Sequence, residues 1–451
     1  MSRRMILPIA LSAIFALIGL DASAADNIGT VLIPQPSNEL LEDLTRSRLA
    51  PDSQRVDLVA PTFAHPTEVT NPLFPISKLH SAVLIGQYEG KHWRAETTLL
   101  PETRTVEWNG QSIEVLQSQF VAYLGGQIYE VAVDLYAQAD DGSVWYFGED
   151  AFSYERGRVS DVKETWHAGV EGPATMIMPG HPKIGNVFRP ENIPGLIFEQ
   201  VTVKTIGDTR DGPVGPVHGV MVAEELHMEG DFEDKTFAPG YGELRSGLGE
   251  NIEANAIAIP VDALQEPVPA ELPRLSSEAT QILEAVRVKD WGLATAGIEA
   301  FRIAYAEHQR RKPPKKIELA IADSIGALVT AMSAKDTLAA SSASFDVALS
   351  VTDLTLRYRP QVEVDRIRLN LWARQLVVDA EAGETGEKSA VAGDVATLQW
   401  IRDRIVFDSA DAKRIDDQLR YLVAAADAKD MQSAAKAAER FRVTLAAIVL
   451  K

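Results

Sequence analysis

The stretch Asp134-Leu135-Tyr136-Ala137-Gln138-Ala139-Asp140-Asp141-Gly142-Ser143-Val144-Trp145-Tyr146-Phe147-Gly148-Glu149-Asp150 decides the fold class of this chain. Aromatic and β-branched residues flank the turn signal Asp140-Asp141-Gly142, so the stretch reads as two strands joined by a tight reversal. The same pattern extends to both sides. Upstream, Val83 to Tyr88 and Trp93 to Leu100 read as strands, and Asn109-Gly110 is a two-residue hairpin signal between Thr103 to Trp108 and Ser112 to Phe120. Gly125-Gly126 then leads into Ile128 to Gln138. Downstream, Ser143 to Phe147, Ile197 to Ile206, Val217 to Met228 and Thr236 to Phe237 continue the series, with turns at Arg156-Gly157, Gly180-His181-Pro182 and Asp211-Gly212. No amphipathic helix interrupts these short strands, which predicts an antiparallel β domain over 71–262, either a sandwich or an incomplete barrel.

Beyond residue 275 the composition turns alanine-rich and the apolar period becomes helical. Segments at 276–287, 290–309, 316–334, 337–357, 362–382, 390–407, 411–427 and 430–449 predict an all-α bundle over 276–451. Three joints, Val288-Lys289-Asp290, Ala334-Lys335-Asp336 and Ala428-Lys429-Asp430, put an aspartate at a helix N-cap, with Gly393-Asp394 as a weaker fourth case. The segment 263–275, with Pro267-Val268-Pro269-Ala270-Glu271-Leu272-Pro273, reads as a stiff linker, giving an α+β multidomain chain.

At the other end, Arg3 and Arg4, the uncharged apolar run Ile6 to Leu20 and Ala22-Ser23-Ala24 have the form of a secretory signal peptide over 1–24. A mature periplasmic or secreted protein beginning at Ala25 is expected, with 25–70 a partly ordered lead-in containing one helical pattern from Glu39 to Leu49. Nothing after the signal reads as long and apolar enough to span a membrane. The chain has no cysteine, which removes disulfides, lipid attachment at a cleavage-point cysteine and thiolate chemistry. A formal net charge of −20 disfavours nucleic acid and anionic membrane surfaces as partners, both of which need a positive face.

The hairpin motif, followed by Trp166-His167-Ala168-Gly169-Val170-Glu171-Gly172, Met178-Pro179 with Pro182-Lys183-Ile184-Gly185, and Phe237-Ala238-Pro239-Gly240-Tyr241-Gly242, resembles a family of uncharacterised exported bacterial proteins. Together with Asn71-Pro72-Leu73-Phe74-Pro75 the likeness covers most of 71–260, and Arg357 to Trp400 is similar to helical tails of exported proteins. The resemblance implies export and a β domain. It carries no reaction and no site residues.

Without cysteine, histidine is the first place to look for a metal ligand. Methionine gathers near three of the histidines: Met176, Met178 and His181, then His218 and Met221, then His227 and Met228. Thioether plus imidazole is a soft set that suits copper, although core packing explains the same residues. A second option is the carboxylate run Glu224, Glu225, Glu229, Asp231, Glu233 and Asp234, which could serve a hard cation or be a solvated turn. In the bundle, Asp353, Glu363, Asp365 and Asp379 among Arg357, Arg359, Arg366, Arg368 and Arg374 read as interhelical ion pairs. The one helical histidine, His308, lies outside any Glu-x-x-His pair, which argues against a di-iron bundle.

No G-x-S-x-G elbow or phosphate loop is present, and a paired-carboxylate hydrolase could draw only on residues such as Glu149 or Asp150. The expectation is therefore an exported, non-enzymatic binding or accessory protein for a small ligand, a metal ion or a protein partner docked through the bundle. The alternatives are a periplasmic metal-binding protein and a cell-envelope hydrolase.

Overall fold

A computed structural model describes residues 48–228, 230–383 and 388–448. The expected signal peptide over 1–24, the expected lead-in up to residue 47 and the candidate ligand Glu229 lie outside the described residues.

Among the described residues, the β domain is one antiparallel sheet of fourteen strands. They are β1 (Ser81–Tyr88), β2 (Lys91–Trp108), β3 (Gln111–Leu124), β4 (Gln127–Gln138), β5 (Val144–Glu155), β6 (Arg158–Asp161), β7 (Trp166–His167), β8 (Thr175–Met178), β9 (Val187–Ile193), β10 (Ile197–Asp211), β11 (Pro216–His227), β12 (Phe232–Ala238), β13 (Gly242–Leu248) and β14 (Asn251–Ile259). The hairpin turns carry the expected chemistry: Asn109 and Gly110 both take positive φ, the conformation a two-residue reversal needs. The two strands read at Trp93 to Leu100 and Thr103 to Trp108 are one strand with a register shift between Leu99 and Thr103. The Gly240 to Glu243 reversal opens β13, which with β14 returns the chain to β1.

The spatial order β6-β5-β4-β3-β2-β1-β14-β13-β12-β11-β10-β9 leaves β5 and β9 near opposite ends of the path. β8 joins them: it pairs with β5 in a ladder, and the Thr175 hydroxyl donates to the Pro190 carbonyl of β9. The sheet thus curls into an incomplete barrel, and a cavity of about 100 Å³ inside it is lined from β1 through β4 and from β8 through β13. The segment 71–79 closes part of this interior with Phe74, Pro75, Ile76 and Leu79. Asn71 holds that segment in place by donating from Nδ2 to the carbonyls of Gly142 and Pro179, 3.0 Å each.

Period-two alternation sorts side chains between the two faces of the sheet. Ala82, Leu84, Phe120 and Ala122 face inward, while Val83, Val121, Tyr123 and Ile257 face outward. The outward set shares one apolar core with eight helices, α1 (Glu271–Arg287), α2 (Trp291–His308), α3 (Lys315–Ala334), α4 (Thr337–Thr355), α5 (Gln361–Ala382), α6 (Lys388–Asp403), α7 (Ser409–Asp427) and α8 (Met431–Ala447). Trp372 of α5 stacks on Tyr123 of β3 at 5.3 Å between ring centres, and Trp400 of α6 donates to the Tyr154 hydroxyl at 2.8 Å. Asp290, Asp336 and Asp430 cap α2, α4 and α8 by accepting from the backbone N–H groups of Leu293, Ala339 and Ser433.

Three readings change. Gly393-Asp394 is not a joint but lies within α6, with Asp394 buried. The stretch read as a linker is helical from Glu271 onward, with Pro273 in the first turn where its missing N–H costs no intrahelical bond. Among the described residues one helix, α3, is long and apolar enough to cross a membrane by length and composition. Its buried residues Ile317, Ile321, Ile325 and Leu328 recur every three or four positions and pack into the helical core.

Candidate functional site

Two buried clusters of charge occupy the two faces of the sheet. The first lies outside the barrel, between sheet and helices. Arg94 and Glu96, two residues apart on β2, both face the helices, where Arg94 grips Asp353 of α4 with two hydrogen bonds of 2.7 and 2.9 Å. Arg368 of α5 bonds Asp353 at 3.0 Å and Asp365 at 2.9 Å. Arg404, just after α6, bonds Glu96 at 2.6 Å and Gln119 of β3 at 2.6 Å. The expected ion pairing among Asp353, Asp365 and Arg368 is therefore present, and it extends onto the sheet through a β-strand pair the sequence did not connect to it. Three guanidinium groups meet three carboxylates, so the cluster is neutral. Despite burial, the three arginines hold the Glu96 carboxyl well below the usual carboxylate range.

The second cluster lies inside the barrel and is not balanced. Cross-strand register places Asp134 opposite Glu149, Glu191 opposite Glu199, Glu199 opposite His227, and Glu225 opposite Glu233. All six carboxylates are buried, Glu149 and Glu191 with 0% exposure. Two local irregularities arrange this. An extra residue on β5 puts Tyr146 and Glu149 on the same side, and Gly148 between them, at φ 112°, admits the Trp166 carbonyl of β7 where a Cβ would approach it to 2.1 Å. A register shift between β9 and β10 likewise brings Glu191 beside Glu199.

Donors inside the barrel are few. The Tyr146 hydroxyl donates to Asp134 at 2.9 Å, Ser246 donates to Glu233, and Trp93 Nε1 donates to Glu253 at 2.7 Å. Lys235 Nζ lies 2.5 Å from Glu225 Oε2. Among the described residues, neither oxygen of Glu191 accepts a hydrogen bond. Burial raises the Glu149, Glu191 and Glu233 carboxyls well above their ordinary range. Asp134 and Glu225 are pushed up to about 7, chiefly by burial and, for Glu225, next by the Glu199 charge. Burial alone would depress the Lys235 ammonium, but Glu225 and Glu199 raise it well above its usual value.

Within this cluster Glu199, Glu225 and His227 each offer a ligand atom, and the three atoms lie within 4.8 Å of one another. His227 Nδ1 is 3.5 Å from Glu199 Oε1, and Nε2 is 3.8 Å from Glu225 Oε2 and 3.7 Å from Glu233 Oε2. Two carboxylate oxygens and an imidazole nitrogen form a donor set suited to a divalent first-row ion, zinc or manganese in particular.

Of the residues read from sequence as metal ligands, His227 falls at this cluster, and so do Glu225 and Glu233 of the carboxylate run. Met176, Met178 and Met221 are buried in an apolar core, whereas His181 and His218 are exposed, with His218 Nδ1 2.9 Å from the Thr209 hydroxyl. Imidazole and thioether thus lie in different environments, and the soft copper set is not assembled. Within the acidic segment, Glu225 and Glu233 point into the barrel, while Asp231 and Asp234 are exposed and Glu224 pairs with Lys204 at 2.6 Å. The period-two pattern Glu225, His227 on β11 could have marked the pair as facing one way. Glu199, 26 residues earlier, carries no such signal.

The carboxylates named for a hydrolase do not work together. Glu149 faces the interior, whereas Asp150 faces outward to Arg104 at 2.9 Å and His167 at 3.0 Å. Compared with family models, curated proteins and solved structures, the chain matches none. Fold and site together define an antiparallel barrel backed by a helical layer, with a candidate carboxylate and imidazole metal site inside.

Proposed function

We propose that this chain is an exported, non-enzymatic binding protein whose barrel holds a divalent metal ion on Glu199, Glu225 and His227. The observation that carries the reading is the buried convergence of those three ligand atoms. Like charges placed directly opposite on neighbouring strands destabilise a sheet, and here three carboxylate pairs stand opposite each other out of water. A bound cation offsets that cost, and Glu233 supplies a further oxygen beside the imidazole. Export rests on the sequence of residues 1–24 and on the resemblance to exported proteins. A protein partner of the helical layer would use its outward faces, since the inward faces are engaged by the sheet.

The test is elemental mass spectrometry of untagged protein purified without chelator, alongside Glu225→Gln and His227→Ala. About one zinc or manganese ion per chain is expected in the native protein and loss of it in both variants. A metal-free native protein, or full occupancy retained in both variants, would rule the site out.

A further inference from the structure

Two of the three proposed metal ligands, Glu199 and Glu225, line the barrel cavity. The cavity is also lined by Asp134 and Tyr136 of β4, Phe120 of β3, Phe188 of β9 and Phe74 of the closing segment. Phe74 meets the Tyr136 ring edge-on at 4.9 Å, and Tyr136 in turn stacks against Tyr146 at 4.9 Å. Asp134 is thus a buried carboxylate set among aromatic rings, with 3% of its surface exposed. Its cross-strand neighbours are Ser118 of β3 and Glu149 of β5, and neither brings a positive charge. Lys235, the one basic side chain lining the cavity, is committed to Glu225.

From this lining we infer a second binding site, for a small alkylammonium cation seated against Asp134 and the rings of Phe74, Phe120, Tyr136 and Phe188. Aromatic faces attract ammonium and quaternary ammonium groups through the ring quadrupole, most strongly where water is excluded. A carboxylate at the same place supplies the countercharge that a buried cation requires. Size narrows the class. A cavity of about 150 Å³ accommodates benzene, so the roughly 100 Å³ here limits the ligand to a small methylated ammonium ion. A small polar anion is disfavoured because Asp134, Glu199, Glu225 and Glu243 all line the space. The site shares its cavity with Glu199 and Glu225 of the metal reading, but the groups argued to hold the ammonium, Asp134 and the rings, are not among the metal ligands.

The experiment is thermal unfolding of the whole mature protein after chelator treatment, with tetramethylammonium chloride, with sodium chloride at equal ionic strength, and with tert-butyl alcohol as a neutral molecule of similar shape. Tetramethylammonium is expected to raise the midpoint by about 2 °C over sodium chloride at millimolar concentration, and the alcohol to leave it unchanged. Asp134→Asn should abolish the difference while the ion measured by elemental analysis is retained. Equal shifts from the cation and the alcohol would overturn the inference in favour of an apolar pocket, and no shift from either would overturn it outright. Loss of the metal ion with retention of the tetramethylammonium shift would count against the metal site alone. The comparison of cation with alcohol needs no variant, so it holds even if Asp134→Asn fails to fold.

Discussion

Two sets of buried charge sit back to back across one sheet, and they are built on opposite plans. Outside, Arg94, Arg368 and Arg404 neutralise Glu96, Asp353 and Asp365 with short, directed hydrogen bonds. Inside, Asp134, Glu149, Glu191, Glu199, Glu225 and Glu233 share one lysine and one histidine. The outer set is complete as it stands and therefore structural. The inner set is incomplete in charge, and such a deficit is what separates a site awaiting a cation from a scaffold.

The largest effect should come from breaking the complete set. Asp353→Ala leaves Arg94 and Arg368 buried without their shared partner, and it should cost about 3–5 kcal/mol of stability in urea unfolding. A loss below about 1 kcal/mol would show that water reaches the network and that it is not the dry junction drawn here.

The response to pH comes next. Asp134 and Glu225 have folded-state carboxyls raised to about 7, so between pH 5 and 8 the folded metal-free protein holds protons that the unfolded chain has already released. Stability of the metal-free protein should therefore fall as pH rises through this window, by on the order of 3 kcal/mol. Glu96 does not offset this, because its carboxyl is depressed and its contribution is lost only at acid pH. Urea unfolding in chelator at pH 5 and pH 8 measures the difference, and a metal-free protein more stable at pH 8 would contradict the unbalanced interior.

The sharpest contrast uses one substitution in both places. Glu96→Gln should destabilise by about 2–3 kcal/mol, since it removes a charge that the arginines require. Glu191→Gln should instead stabilise the metal-free protein at pH 8, because it removes a carboxyl that burial, and next the Glu199 charge, hold well above its ordinary range. Opposite signs in paired urea titrations sustain the comparison. The same sign in both would collapse it.

Much of the architecture was legible because it rests on local rules. The alternation of strands and turns gave β1 to β5, the helical period gave all eight helices to within a few residues, and aspartates placed after the joints at Lys289, Lys335 and Lys429 became working caps. The site was less legible for two reasons. Glu149 and Glu191 turn inward only because one extra residue slips the register on β5 and on β9, and alternation counted along the sequence misses such slips. The Glu199 to His227 pairing spans a hairpin with three further register irregularities. The methionines near histidine were misleading for a plain reason, since Met178 and Met221 fill core volume.

The link from β2 to α4, α5 and the end of α6 also bears on how this protein comes apart. A boundary sealed by apolar packing alone can open by degrees, exposing one side chain at a time. Here lifting the helices off the sheet strips Arg94 and Glu96 of their helical partners together. The sheet and its helical cover should therefore melt in one calorimetric transition, although composition divides the chain into two parts.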